Sequence, residues 1–119
     1  MMTPVISAAL GGALGAVLRY LVGLAVAFPL GTLVINVAGS FLIGVVWVAF
    51  AARGLQAWLP FVMTGILGGF TTFSAFSLDT LRLLEGGRLA AAGGYVLASV
   101  VLSILACGAG LWLAKGGAA

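Results

Sequence analysis

The sequence has few of the side chains that most enzymes use. It contains no histidine, two acidic residues and five basic residues among 119. Because histidine is missing and no pair of carboxylates lies within an apolar segment, we expect neither an enzyme nor a zinc site. The net charge of +3 is small and scattered, so no nucleic-acid partner is expected. The single cysteine, Cys107, cannot form a disulfide within the chain.

The sequence is rich in hydrophobic residues and poor in charged ones. Hydrophobic residues make up 64% of the sequence, whereas charged residues make up 6%, which is too little charge for a soluble domain. A membrane-spanning helix needs about 20 mostly apolar residues. The charged positions, and a turn at Pro29, divide the chain into segments of about this length, predicted at 4–27, 31–51, 58–84 and 89–113. We therefore expect a single all-α integral membrane domain over residues 1–119.

Basic residues are nearly balanced between the two membrane faces that four antiparallel helices would define. Arg53 and Lys115 fall on the face that holds the chain termini, and Arg19, Arg82 and Arg88 fall on the other. Lys and Arg near the ends of spans normally fix the orientation. The balance therefore favours insertion in both directions and an antiparallel (dual-topology) homodimer. The alternative is one orientation, fixed by features other than charge.

The third span contains a stretch, residues 65–77, whose composition is poor for a helix. Two adjacent glycines are followed by two threonines. Glycine costs about 1 kcal/mol inside a helix, and β-branched threonine lowers helix propensity further. We predict a break near 68–72, whose freed carbonyls would suit a hard cation such as Na⁺ and whose freed amides would suit an anion. A continuous helix with glycines at a tight crossing is the alternative.

Uncharged polar side chains recur every four residues on two other spans. They are Thr32, Asn36 and Ser40 on the second span, and Tyr95, Ser99 and Ser103 on the fourth. A side-chain amide in hydrocarbon needs partners, so the Asn36 position must serve a purpose. One interpretation is hydrogen bonding between helices. The other is that both polar stripes line one passage, free of carboxylates, that favours a small anion over a cation.

Two phenylalanines of the third span, Phe73 and Phe76, lie at a spacing that places them on one helix face. The edge of a phenyl ring is positive, so inward-facing edges would suit an anion in that passage. Ordinary packing of these rings is the alternative.

Together these residues resemble the Fluc/CrcB family of fluoride-specific ion channels. The resemblance is carried by stretches 11–20, 31–41 and 68–77, and by the polar stripe on the fourth span. It implies a dual-topology homodimer with two fluoride pores in the bacterial plasma membrane. It also implies passive export of F⁻ that limits toxic accumulation, because HF diffuses inward and releases F⁻ in the less acidic cytoplasm.

The resemblance also assigns roles to single residues. A structural Na⁺, not transported, would be held at the dimer centre by the backbone carbonyls of Gly68 and Thr71. The fluoride pore would comprise Thr32, Asn36, Phe73, Phe76, Tyr95, Ser99 and Ser103, and Arg19 would be the basic residue near the end of the first helix. Two positions depart from the family pattern, with Ala75 in place of serine or threonine and Asp79 in place of glutamate.

Two other classes of membrane protein fit the length. Small multidrug exporters also have four helices and dual topology, but they depend on a membrane-buried glutamate in the first helix. The first span here has no carboxylate, which disfavours that class. A scaffold without transport activity would not need polar stripes at matching depths. The expected partners are therefore fluoride, the lipid bilayer and a second copy of the chain.

Overall fold

The computed structural model describes residues 3–116 and is almost entirely helical. The α-helices are α1 (Pro4–Ala25), α2 (Leu30–Ala52), α3 (Gly68–Phe70), α4 (Phe73–Glu85) and α5 (Leu89–Ala114). A 3₁₀ turn (Gln56–Trp58) and a π-helix (Pro60–Leu67) precede α3. These elements form four segments long and apolar enough to cross a membrane, the third being Gln56–Glu85, and no strand occurs within 3–116. The all-α membrane fold is confirmed.

Local chemistry sets the helix ends. Thr3 caps α1 by accepting a hydrogen bond from the Ile6 amide, 3.3 Å away. Pro4 follows at the first helical position, where its missing N–H is not needed. The helix ends at Ala25, two residues before the predicted end, because Val26 is extended (φ −117°, ψ 121°). Gly87, with φ +76°, occupies the left-handed turn before α5, a conformation that favours glycine.

Glycines allow the helices to pack closely. α1 lies against the π-helix and α3, and α2 lies against α5. A Cβ atom at Gly11 or Gly15 would overlap backbone carbonyls of the third span. One at Gly44 or Gly110 would overlap carbonyls across the α2–α5 contact. Small residues of this kind let helix backbones approach within a membrane.

Few side chains are buried in this flat molecule, whose extents are 50 × 37 × 20 Å. The main buried cluster comprises Leu83, Ala92 and Tyr95, between α4 and α5. Most large apolar side chains on α1 and α5 are exposed on the outer surface. That surface suits contact with lipid, and the fold depends on close backbone contact rather than on a large core.

Candidate ion pathway

The third span is interrupted at two residues, Thr71 and Thr72. Both are extended, with φ −83° and ψ 156° at Thr71 and φ −153° and ψ 119° at Thr72. The helix resumes at Phe73, and the Thr72 hydroxyl caps it by accepting from the Ala75 amide at 3.1 Å. The interruption lies at the end of the stretch in which the break was predicted. The glycine pair is still helical, and a Cβ at Gly69 would press on α1.

The Asn36 side chain pairs with the main chain at the interruption. Its Nδ2 donates to the Thr72 carbonyl at 3.0 Å, and its Oδ1 accepts from the Thr72 amide at 2.8 Å. Because the Thr72 amide donates to Asn36, the Gly68 carbonyl lacks the donor that a continuous helix would supply. The Ala75 amide donates to the Thr72 hydroxyl, so the Thr71 carbonyl also lacks its helical donor.

Arg19 reaches the other side of the interruption. Its Nε donates to the Gly69 carbonyl at 3.0 Å, across 50 positions of sequence. The Thr71 hydroxyl donates back to the Leu67 carbonyl at 3.0 Å. The two ends of the interruption are therefore held by polar groups, and the carbonyls of Gly68 and Thr71 remain available to a further ligand.

A cavity of about 350 Å³ lies beside the interruption, and every residue described in its lining is uncharged. The lining includes Asn36, Ser40, Gly68, Thr71, Thr72, Phe73, Phe76, Ser99 and Ser103. Ser99 is 6% exposed, and within residues 3–116 its Oγ has no hydrogen-bond partner. The rings of Phe73 and Phe76 lie 5.3 Å apart, at 55°. We call this the uncharged cavity.

A second cavity of about 390 Å³ lies on the other side of Thr72 and carries charge. Its lining includes Arg19, Thr32, Asp79 and Arg82. The Arg82 guanidinium lies 4.1 Å above the ring centroid of a further lining residue, Phe28, and Nη1 lies 4.0 Å from Asp79 Oδ1. Thr72 is the residue that the two described linings share. We call this second space the charged cavity.

A family model described as "CrcB-like protein, Camphor Resistance (CrcB)" matches residues 6–111, nearly the whole length. The chain belongs to the CrcB family. Similar bacterial relatives are named "Fluoride-specific ion channel FluC". That of Paracoccus denitrificans is 54% identical, with 91% of each chain covered, and that of Roseobacter denitrificans is 51% identical, covering 97% of this chain and 98% of the relative. That of Jannaschia sp. is 61% identical over 76% of this chain and 86% of the relative.

The relatives of this CrcB-family chain are named as ion channels and not as enzymes. With four helices able to cross a membrane, the chain is a multi-pass bacterial membrane protein. The comparison gives no support to the small multidrug exporter weighed from the sequence.

In the single chain the predicted pore residues lie around two cavities, so a single passage without carboxylates stays a prediction. In the CrcB-family chain Asn36 lines the uncharged cavity, but Thr32, one turn earlier, lines the charged cavity with Asp79. Tyr95 lies between the two. Its ring centroid is 5.5 Å from that of Phe76, and its hydroxyl donates to Asp79 Oδ2 at 3.1 Å. Helical spacing shows which residues share a face, but it does not show that Thr72 lines both cavities.

Sequence reasoning gave no role to three participants. Thr72 carried a recognisable signal, since threonine directly before a helical stretch is a typical N-cap. Asp79 carried another, because an ionisable residue within a span usually has a specific partner. The Gly69 carbonyl, which accepts from Arg19, had no signal in the sequence.

Proposed function

We propose that this CrcB-family chain is a fluoride-specific ion channel that works as an antiparallel homodimer and exports F⁻ passively. The observation that carries the proposal is the buried Ser99 hydroxyl, which has no partner among the described residues and lies in the wall of an uncharged cavity. A buried donor without a partner is costly unless a ligand uses it. The fluoride-specific names of the relatives support the same ligand.

The lining of the uncharged cavity suits a small anion. Serine hydroxyls can donate, and the Asn36 amide has a second N–H beyond the one that bonds Thr72. The edges of Phe73 and Phe76 add positive potential without a full charge. The N-terminus of α4 lies at Thr72 and Phe73 in the same lining, where the helix dipole favours negative charge.

Export needs no energy source of its own. HF crosses the bilayer and releases F⁻ in the less acidic cytoplasm. A potential of about 100 mV, negative inside, favours exit of one negative charge by about 2.3 kcal/mol. A passive pore is therefore sufficient to lower cytoplasmic fluoride.

A structural Na⁺ fits the interruption of the third span. The carbonyls of Gly68 and Thr71 lack their helical donors, and two opposed copies would offer four such oxygens. Residues 3–116 contain no cluster of acidic, histidine or cysteine side chains for a metal. Carbonyl oxygens are hard ligands suited to such a cation. Bound there, Na⁺ would supply positive charge that holds the freed carbonyls of both copies together.

A second, antiparallel copy is supported by the shape of one copy. Phe73, a lining residue of the uncharged cavity, is 77% exposed in the single chain. A pore wall so open needs a further surface to keep lipid out. The near balance of Lys and Arg between the faces favours the opposite orientation for that copy.

Fluoride efflux from liposomes that contain the purified chain tests the proposal. We expect rapid F⁻ efflux once a K⁺ ionophore relieves the voltage, and no chloride efflux above that of empty liposomes. Equal chloride and fluoride rates would contradict selectivity, and the absence of fluoride efflux would contradict the channel itself.

A further inference from the structure

Two side chains from different helices hold the two sides of the interruption. Arg19 of α1 bonds the carbonyl of Gly69, in the last turn before the interruption. Asn36 of α2 bonds both main-chain groups of Thr72, the residue from which α4 starts. Each half of the third span is therefore attached to a different neighbouring helix.

The atoms used are informative. Arg19 bonds through Nε, the nitrogen nearest its aliphatic stem, and not through a terminal nitrogen. Asn36 presents a donor and an acceptor to one residue, as a neighbouring strand would. Main-chain groups without partners are costly in a membrane interior. Arg19 therefore satisfies the Gly69 carbonyl and Asn36 satisfies the Thr72 amide, two groups that leaving the helix would deprive of a partner.

These bonds stand at the boundary between the two cavities. Thr72 lines both cavities, whereas Arg19 lines only the charged one and Asn36 only the uncharged one. Thr72 also sets the start of α4, on which Phe73 and Phe76 are carried. Displacing Thr72 would therefore move the boundary and both phenylalanines together.

We propose that Arg19 and Asn36 are positioning residues, which hold the interruption open through Gly69 and Thr72 and so fix the wall between the charged and uncharged cavities. Only the flux measurements below rest on the proposed fluoride function. The competing interpretation is that Arg19 acts as a positive charge that attracts anions, and that Asn36 acts solely as an anion donor.

Glutamine separates donation from charge at position 19. The Nε2 of glutamine is attached at the same point of the side chain as the Nε of arginine, so Arg19→Gln keeps a donor there but removes the charge. Arg19→Leu removes both. Positioning predicts that Arg19→Gln retains most fluoride flux while Arg19→Leu loses it. An anion-attracting charge predicts that both variants lose flux alike.

The bonds can be observed directly, because the sequence labels them uniquely. Gly69–Phe70 is the only Gly–Phe pair in the chain, and Thr72–Phe73 is the only Thr–Phe pair. Carbonyl-¹³C glycine or threonine combined with ¹⁵N phenylalanine therefore gives one carbonyl signal for each acceptor. We expect the Gly69 signal to move upfield in Arg19→Leu, as an accepted hydrogen bond is lost, and to stay near its wild-type position in Arg19→Gln.

Asn36→Asp provides the second test. An ionised aspartate keeps an acceptor for the Thr72 amide but has no donor for the Thr72 carbonyl. We expect the Thr72 carbonyl signal to move upfield, with flux reduced, while the Thr72 amide keeps its acceptor. Loss of flux with the Thr72 carbonyl signal unchanged would show that Asn36 contacts only the anion.

Arg53 offers a matched control. Its Nη1 also donates to a helix carbonyl, that of Ala49 at 3.4 Å, but it is exposed and remote from the interruption. Arg53→Leu should leave the Gly69 and Thr72 signals, and the flux, unchanged. The inference is overturned if the Gly69 signal of Arg19→Leu stays at the wild-type position, or if that of Arg19→Gln moves as far as that of Arg19→Leu. If the wild-type chain carries no fluoride, the carbonyl signals still decide whether these bonds hold the interruption, and only the proposed function fails.

Discussion

The chemistry proposed for the uncharged cavity depends on single polar groups that have no charge to lose. The Ser99 hydroxyl is the clearest, because it is buried without a partner among the described residues. Several hydroxyls of the third span instead donate to their own helix, as that of Ser77 does to the Phe73 carbonyl at 3.1 Å. This difference separates a side chain available to a ligand from one that is already satisfied.

Ser99→Ala should therefore lower fluoride flux without lowering stability. Removing an unsatisfied buried hydroxyl relieves a penalty of about 1–3 kcal/mol, so thermal unfolding in detergent should occur at the same temperature or higher. Ser77→Ala, which alters an exposed and satisfied hydroxyl, is the control for flux. A clear fall in the stability of Ser99→Ala would show that Ser99 bonds a neighbouring helix instead of an ion.

The phenylalanines can be tested by removing the ring and keeping the bulk. Phe73→Ile and Phe76→Ile delete the positive ring edge but keep an apolar side chain. We expect flux to fall, with the dimer still intact on gel filtration. If the isoleucine variants conduct fluoride as well as the wild type, Phe73 and Phe76 contribute only packing volume.

At the scale of the helical elements, the interruption shows what the sequence can predict. Two glycines and two β-branched residues within one span are a local signal, and local signals are visible in a single sequence. The partners are not visible, because Asn36 and Thr72 are 36 positions apart and Arg19 and Gly69 are 50 apart. The π-helix before α3 was likewise not predicted, and nothing in the structure explains its form.

The open carbonyls predict a dependence on Na⁺. Exchanging Na⁺ for a larger organic cation over a long equilibration should lower fluoride flux, because the carbonyls of Gly68 and Thr71 then lack a ligand. Thr71→Ser should behave like the wild type, since its hydroxyl donates to Leu67 and leaves the carbonyl unchanged. If fluoride flux does not depend on Na⁺ in either protein, the proposed structural Na⁺ is contradicted.

Two glycines of α1, one packed against the third span and one not, test the close packing of these helices. A Cβ at Gly15 would overlap the Ile66 carbonyl and approach the Phe70 nitrogen at 2.8 Å, whereas nothing lies within 4 Å of one at Gly12. Gly15→Ala should destabilise the chain by about 1–3 kcal/mol through overpacking. Gly12→Ala should be neutral or slightly stabilising, because alanine is the better helix former. Thermal unfolding of the two variants in one detergent checks the pair, and equal stabilities would contradict the close approach of α1.

For the whole molecule, the main question is how a flat chain, 20 Å in its shortest extent, closes a pore. Its charged cavity holds Arg19 and Arg82 toward one membrane face, while Arg53 lies beyond the other end of α2. Nothing in this distribution of basic residues strongly fixes one orientation. A population inserted in both directions would supply the opposed partner that the exposed Phe73 needs.

Opposed insertion can be measured with two cysteine variants on a Cys107→Ser background. Gln56→Cys lies in the exposed 3₁₀ turn that begins the third span, and Leu89→Cys lies at the exposed start of α5, on the opposite face. With dual topology, an impermeant thiol reagent applied to intact cells should label about half of each variant, and permeabilised cells should give full labelling of both. A single orientation predicts complete labelling of one variant and none of the other. That result would exclude the antiparallel dimer while leaving fluoride selectivity itself untouched, because selectivity is proposed from the lining of the uncharged cavity. Neither substitution adds or removes Lys or Arg, so the charge balance that the experiment examines stays as in the natural chain.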